Sequence, residues 1–177
     1  MFYALMIDSN GNGMGSHTYV EEPSSYPSNE IPCTEAQAKN PMAYQVANGQ
    51  VVESLPYAKT SQIALLKAGY QTAINAPVTF KNAAGVTSTY PSGNTVLING
   101  MRAKDLLAEV IAAGEAAWTL GKWIDANDVA QTFTFADLQG LAGAMEAAIT
   151  LDYTDLVSKI AEVNAATTVS AVQAVTW

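Results

Sequence analysis

One apolar pattern near the end of the chain constrains the fold more than any other feature. Between Phe135 and Ala165, apolar side chains recur at intervals of three or four residues: Leu138, Leu141, Met145, Ile149, Tyr153, Leu156, Ile160 and Val163. This spacing places them along one face of a helix. Thr134, three residues before Asp137, provides a typical helix start. The sequence therefore predicts one long helix over 135–165.

The first third of the sequence favours short strands. Residues 2–7 are mostly apolar and aromatic, and turn residues then end this strand before a polar loop over 9–32. Thr34 and Gln37 have the spacing of a capping box, which predicts a short helix that ends before Pro41. The dipeptide Asn48-Gly49 favours a type I′ turn and predicts a hairpin that joins residues 44–46 to 51–52.

The remainder of the chain alternates helices with hairpins. Helical spacing predicts an amphipathic helix over 57–75 and a second helix over 94–113. Between them, residues 78–81 and 86–90 flank a four-residue turn, which predicts a second hairpin. Residues 123–125 and 132–133 predict a third hairpin or a continuation of the same sheet. Thr168 is a suitable cap for a final helical turn over 169–174.

This order of elements predicts an α+β fold with two parts. Residues 1–56 form a small β-rich attachment unit that contains the long loop over 9–32. Residues 57–177 form a mainly helical domain with short β-hairpins. Because the first part is too small to bury much of its own surface, we expect it to lean on the rest of the chain or on another subunit.

Composition excludes several classes of partner. Eight basic residues against sixteen acidic ones give a formal net charge of −8, without any Lys/Arg cluster, so we expect no nucleic-acid binding and no adsorption to an anionic membrane. No apolar run approaches the roughly 20 residues of a spanning helix. The only cysteine, Cys33, excludes an internal disulfide. The opening residues MFYALMID indicate a first strand and not a signal peptide. The single cysteine is compatible with an intracellular site of synthesis.

A series of short elements in the second half of the chain has a familiar order. It comprises Trp118, Trp123, the turn 125–128, the segment 133–138, the long helix, and the ending ATTVSAVQAVTW over 166–177. Together these elements resemble a domain-of-unknown-function family at the C-terminus of tail and tail-fibre-associated proteins of tailed bacteriophages. The resemblance covers residues 57–177. Residues 1–56 are similar to the small β units that such proteins carry as attachment modules.

The resemblance implies a structural component of the virion tail and not an enzyme. It implies docking to other tail, baseplate or fibre proteins, several copies per particle, synthesis in the bacterial host cytoplasm, and no cofactor. Within the loop 9–32, the apolar side chains of Tyr19, Val20, Tyr26 and Ile31 are the expected partner-binding anchors. Two alternatives stay open: a tail-fibre assembly chaperone that leaves the particle, and a receptor- or glycan-binding tail module.

Two motifs suggest metal or catalytic chemistry and then fall short of it. Asp8, Asn10 and Asn12, followed by Gly13, match the first half of a calcium loop, but Tyr19 stands where a bidentate glutamate is required. These residues are therefore a weak metal candidate, and a Gly-rich turn is the expected structure. His17 is the only histidine, so we expect a solvated loop residue and no zinc site.

Acidic pairs and tryptophans carry the remaining alternatives. The pairs Asp125/Asp128 and Asp152/Asp155 suggest a glycosidase, but a turn and the polar side of a helix account for them more simply. The chain has three tryptophans, at positions 118, 123 and 177. Packing into the interior is the expected role of these side chains, with a sugar-stacking or partner-contact role as the alternative. No catalytic residue is therefore predicted.

Overall fold

The computed structural model describes residues 1–97 and 100–177, and it confirms the predicted α+β class. An antiparallel sheet at the start of the chain is followed by a mainly helical region with short hairpins. The chain packs as two compact units, Met1–Leu66 with Lys159–Thr176 and Lys67–Ser158 with Trp177. We call them unit 1 and unit 2. The predicted domains, 1–56 and 57–177, remain a prediction.

The sheet of unit 1 has three strands, and two of them lie where a loop was predicted. The central strand β1, Phe2–Ile7, pairs antiparallel with β2, Gly13–Tyr19, and with β3, Glu30–Cys33. The prediction of a loop over 9–32 is therefore wrong for both segments. β2 has the sequence GMGSHTY, whose glycines and polar side chains have low strand propensity, and pairing with β1 overrides that propensity.

A short helix and a hairpin complete the first part of unit 1, and both are confirmed. Helix α1, Glu35–Lys39, begins with the predicted capping box between Thr34 and Gln37. Strands β4, Tyr44–Ala47, and β5, Gln50–Glu53, form the hairpin. Its turn residues Asn48 and Gly49 have φ angles of 52° and 75°, as a type I′ turn requires at both positions.

Three helices have the bounds that their sequence patterns predict, to within about two residues. They are α2, Leu55–Ala73; α4, Phe135–Ala165; and α5, Val169–Ala174. Within unit 1, Lys59 Nζ donates to the Asn164 carbonyl at 2.7 Å, and Gln62 Nε2 donates to the Val175 carbonyl at 2.6 Å. These bonds satisfy backbone acceptors at or beyond the ends of α4 and α5.

Unit 2 encloses one apolar core between hairpins and helices. Its elements are β6, Val78–Lys81; β7, Thr87–Tyr90; α3, Ala103–Ala113; β8, Lys122–Ile124; β9, Ala130–Thr132; and part of α4. β6 pairs with β7, which confirms the second predicted hairpin, and β8 pairs with β9, which is the hairpin alternative of the two predicted for that segment. The fully buried residues of the core are Tyr90, Ala103, Leu107, Phe133, Leu138, Leu141 and Met145.

Helix α3 begins later than its apolar pattern predicts. The predicted helix over 94–113 starts only at Ala103, because Gly100 has a φ of +79°, which a right-handed helix does not accommodate. Before it, Thr95 N donates to Ser92 O, and Leu97 N donates to Met101 O at 2.7 Å. The part of the prediction that concerns residues 98 and 99 lies outside the described residues.

Tyr90 brings a polar group into the core of unit 2. Its ring packs against Phe133 at a centroid distance of 5.3 Å, and its buried hydroxyl has no hydrogen-bond partner among the described residues. Burial, and then the negative charges of Asp125 and Asp137, raise the pKa of this phenol. A buried polar group without a partner destabilises the folded state.

We expect Tyr90→Phe to raise the melting temperature of the chain by a few degrees. The substitution removes the buried hydroxyl and retains the ring. Thermal unfolding followed by circular dichroism measures the difference. Tyr153→Phe, at an exposed ring of α4, is the matched control and should leave the melting temperature unchanged. A lower melting temperature for Tyr90→Phe would mean that the hydroxyl is hydrogen-bonded in solution.

Candidate interaction surface

The strand register assigns side chains to the two faces of the unit 1 sheet. Residues opposite each other point to the same side, and neighbours along a strand point to opposite sides. Ala4 is opposite both His17 and Pro32, and Met6 is opposite Glu30, so these residues share one face. Leu5, Ser16 and Ile31 share the other face. There, Ser16 Oγ donates to the Ala38 carbonyl of α1 at 2.8 Å.

A buried carboxylate organises the face that carries His17. The side chain of Glu30 is 3% exposed, and its Oε1 lies 2.6 Å from His17 Nδ1. Its other oxygen accepts a 2.5 Å hydrogen bond from the Tyr19 hydroxyl. Ala4 lies between the strands of His17 and Glu30 and has only a methyl group, which leaves room for the Glu30 side chain to cross. Both carboxylate oxygens are therefore paired, as a buried charge requires.

The hydrogen bond from the Tyr19 hydroxyl to Glu30 also changes the pKa of Tyr19. Donation to Glu30 favours the protonated phenol, so the pKa of Tyr19 lies above its ordinary value.

The prediction that His17 is a solvated loop residue is corrected. His17 lies in strand β2 and contacts the Glu30 carboxylate, although its side chain is 53% exposed. Sequence reasoning missed this pair, because the partner is 13 residues away and the strand pairing that joins them has no local signal.

An apolar patch lies at the end of the sheet beside this carboxylate. Tyr26 packs edge-on against Tyr19 with a centroid distance of 5.8 Å. Val20 follows Tyr19 and is 85% exposed, and Phe2, directly opposite Tyr19 in the register, is 38% exposed. We call Phe2, Tyr19, Val20 and Tyr26 the sheet-end patch. Since Tyr19 is tied to Glu30, the patch rests on a fixed support.

The structure brings two of the four predicted anchor residues, Tyr19 and Tyr26, into ring contact, and Val20 is exposed next to Tyr19 in the chain. Tyr19, Val20 and Tyr26 belong to the sheet-end patch, whereas Ile31 lies on the opposite face of the sheet and lines a separate cleft. Phe2 was not predicted as an anchor. It reads as an ordinary strand residue, and only its register with Tyr19 shows that it joins the patch.

The His17–Glu30 pair restrains the end of the sheet. Glu30 and His17 form a carboxylate–imidazole pair, which in a hydrolase would orient the imidazole toward a nucleophile. In the described residues, the side chain of His17 makes one hydrogen bond, to Glu30. The pair therefore fixes the strand end and the tyrosine that supports the patch.

The residues of the calcium-like motif bond to one another. Asp8 Oδ1 accepts from the backbone N–H of Asn10 at 2.8 Å and of Asn12 at 2.9 Å, and Oδ2 accepts from Asn12 Nδ2. These bonds, that of the Asn12 side chain first, lower the pKa of Asp8. The motif thus forms the turn between β1 and β2. Across residues 1–97 and 100–177, no three His, Cys, Asp or Glu side chains form a group suited to a metal ion.

The paired aspartates at the β8–β9 turn have a structural arrangement. Asp125 is buried, and its oxygens accept from Ser88 Oγ, Gln131 Nε2 and the backbone N–H groups of Asn127 and Val129, at 2.7–3.0 Å. The side-chain bond from Ser88, followed by that from Gln131, lowers its pKa to about 2. Asp128 occupies the left-handed turn position with a φ of 61°. Asp152 and Asp155 lie on α4.

The tryptophans of unit 2 pack in two places. Trp118 and Trp123 lie against the core with centroids 6.5 Å apart, and Trp118 Nε1 donates to the Phe133 carbonyl at 3.0 Å. Trp177 packs against Tyr70 and lies so close to Gly69 that a Cβ there would come within 2.5 Å of the ring. All three indoles thus make intramolecular contacts, and Gly69 has to remain without a side chain.

The sheet-end patch is identified from the structure of this chain alone. No described helix has the combined length and apolarity that a bilayer span requires. Comparisons of the chain with protein-family models, with curated proteins and with solved structures found no match.

Proposed function

We propose that the chain is a structural component of a bacteriophage tail, and that it docks to a neighbouring tail, baseplate or fibre protein through the sheet-end patch. The phage assignment comes from the resemblance of residues 57–177 to the tail-associated family. The docking role comes from the surface of unit 1. On this proposal, several copies of the chain are present in each particle.

The observation that carries the docking role is the exposure of apolar groups on a rigid support. Val20 and Phe2 are exposed at one end of the sheet, beside the Tyr19–Tyr26 pair. The bond from Tyr19 to the buried Glu30 restrains this end before any partner arrives. Apolar groups held in place lose little conformational freedom on binding, which is the usual property of an interface anchor.

We expect Val20→Asp to reduce incorporation of the chain into particles at least tenfold, because a charge buried in an apolar contact loses its hydration without gaining a partner. The measurement is quantitative mass spectrometry of purified particles from cells that supply the variant in place of the wild-type chain. Circular dichroism should show an unchanged melting temperature, since Val20 is almost fully exposed.

The control is Val157→Asp, which places the same charge at an exposed valine of α4. This variant should be incorporated at the wild-type level. Normal incorporation of Val20→Asp would move the docking site away from the sheet-end patch. Absence of the wild-type chain from complete, infectious particles would reject the structural role itself and favour an assembly factor.

A further inference from the structure

The hairpin of unit 1 has one strand edge that no other strand covers. Within its two-stranded sheet β5 pairs only with β4, and β4 meets the turn after β1 on its other side, where Val46 N donates to Gly11 O at 2.8 Å. The turn thus covers the outer edge of β4. The outer edge of β5 is free of strand pairing in the described residues.

The hydrogen-bond phase shows which groups that edge presents. Ser54 N donates to Ala43 O at 2.8 Å, and hydrogen-bonded pairs alternate with non-bonded ones along an antiparallel ladder. Val52 and Gln50 therefore direct their backbone groups toward β4. Val51 and Glu53 direct their N–H and C=O groups outward, where a further strand could pair with them.

A cleft adjoins this edge. It has a volume of about 490 Å³ and is lined by Gln50 and Val51 on the β5 side and by Ile31, Pro32 and Cys33 on the β3 side, together with Thr34, Gln37 and Gly49. The cleft is shallow and open to solvent along its length. A short extended peptide has the shape to occupy such a cleft along a strand.

Strand β3, on the other side of the cleft, cannot pair with β5 in place of an incoming strand. Ile7 N donates to Asn29 O at 2.9 Å, which fixes the phase of the β1–β3 ladder, so Glu30 and Pro32 direct their backbone groups outward. Pro32 has no N–H, and the N–H of Glu30 already donates to Pro27 O. The β3 edge therefore offers acceptors only, and of the two edges that line the cleft only that of β5 supplies both donors and acceptors to an incoming strand.

The negative charge around β5 favours an incoming strand that carries basic residues. Glu53 lies on the free edge with an exposed side chain, and residues 1–66 contain six acidic residues against two basic ones. An incoming acidic strand is repelled, whereas a lysine or arginine opposite Glu53 gains a cross-strand ion pair. Val51 and the exposed Val52 favour apolar or β-branched residues opposite them.

We infer that the β5 edge is a strand-addition site, and that its occupant is a basic, extended segment of another protein that pairs with the outward backbone groups of Val51 and Glu53. The site is distinct from the sheet-end patch. It holds whether or not the chain belongs to a phage tail, so its test uses the isolated full-length chain.

The test is titration of the ¹⁵N-labelled chain with the capped peptide KVTVK and, separately, with the capped peptide EVTVE. The basic peptide should give saturable amide shifts at Val51 and Glu53, and its affinity should exceed that of the acidic peptide at least tenfold at low salt. No shift at these residues, or equal affinity for both peptides, would overturn the inference.

A proline variant tests the backbone pairing directly. Val51→Pro removes the outward N–H without breaking a bond to β4, and proline is tolerated at a strand edge. We expect it to weaken binding of KVTVK about tenfold, whereas Val51→Thr, which retains the N–H and the branched side chain, should bind as the wild type does. Equal binding by Val51→Pro, with unchanged melting temperature, would reject strand addition.

A modified peptide provides an arm that needs no variant protein. Methylation of the backbone nitrogens of KVTVK removes its donors and should abolish the shifts at Val51 and Glu53. Persistent shifts would contradict the inference. A wild-type dimer in sedimentation experiments that Val51→Pro abolishes would also overturn it, because the occupant would then be a second copy. If Val51→Pro fails to bind peptide but enters particles normally, strand addition stands and tail docking depends on another surface.

Discussion

Replacing Leu141 by aspartate should prevent the chain from folding. Leu141 is fully buried in the core of unit 2, where it packs with Tyr90, Leu107 and Phe133. An aspartate there would place an unpaired carboxylate among aromatic and aliphatic groups. We expect a loss of stability on the order of 4–5 kcal/mol or more, which is a large part of the total for an ordinary domain. The measurements are soluble yield and thermal unfolding by circular dichroism.

Leu151→Asp is the matched control, because it makes the same change on the same helix at a side chain that is 70% exposed. We expect this variant to be soluble and to melt within a few degrees of the wild type. Soluble, cooperatively folding Leu141→Asp protein would show that the buried face of α4 is wrongly assigned. Failure of both variants would point to poor tolerance of acidic residues in α4 instead of to loss of the core.

Replacing Asp125 by asparagine should lower the melting temperature by about 5 °C or more at neutral pH. Each oxygen of Asp125 accepts two hydrogen bonds. In either orientation an asparagine would place its NH₂ group against two of these donors. The turn between β8 and β9 and its link to β7 would lose part of their pairing. Asp128→Asn is the control, since asparagine tolerates the left-handed conformation that Asp128 adopts.

The contribution of Asp125 should disappear in acid. Its pKa is lowered from 3.8 to about 2 in the folded chain, so its stabilising contribution is complete above the unfolded value and is lost as the pH falls from 3.8 to about 2. The difference in melting temperature between wild type and Asp125→Asn should therefore shrink across that interval. A difference that stays constant down to pH 2 would show that the charge of Asp125 has no part in the effect.

Helices and hairpin turns were predictable because their signals are local. The capping box at Thr34, the Asn48-Gly49 turn and the i, i+3 and i, i+4 spacing in α4 each involve residues close in the sequence. The structure confirms the cap, the turn and the helix, although Tyr153 of the predicted apolar face is 57% exposed. Such patterns reflect hydrogen bonds and burial between near neighbours in the sequence. They also gave the correct class of fold.

The two outer strands of the first sheet, β2 and β3, were not predictable on that basis, although the central strand β1 was. β2 has two glycines and three polar residues, and β3 contains a proline, so neither segment has the composition of a strand. Each becomes one because β1 supplies the hydrogen-bonding partner. The same long-range pairing brings His17 and Tyr19 to Glu30 and sends Ile31 to the opposite face. Some residues of the candidate site could be predicted from the sequence, but their arrangement into one surface could not.

Helix α3 shows the limit of apolar spacing as a signal. The pattern continues through Leu97 and Met101, but Gly100 in the left-handed region ends any continuous helix before Ala103. A glycine is compatible with either outcome, and only the packing of the preceding segment decides between them.

Pro32, on the β3 side of the cleft, limits how many strands can pair in a row beyond β5. Fibre growth by edge pairing needs two edges that each supply donors and acceptors, so that every added strand exposes a new template. Here the β3 edge lacks a free donor at both of its outward positions. A strand bound at β5 therefore finds no complete set of donors and acceptors on β3 with which to continue the pairing. If β5 captures a segment, we therefore expect strand pairing on this side of the chain to stop at β3.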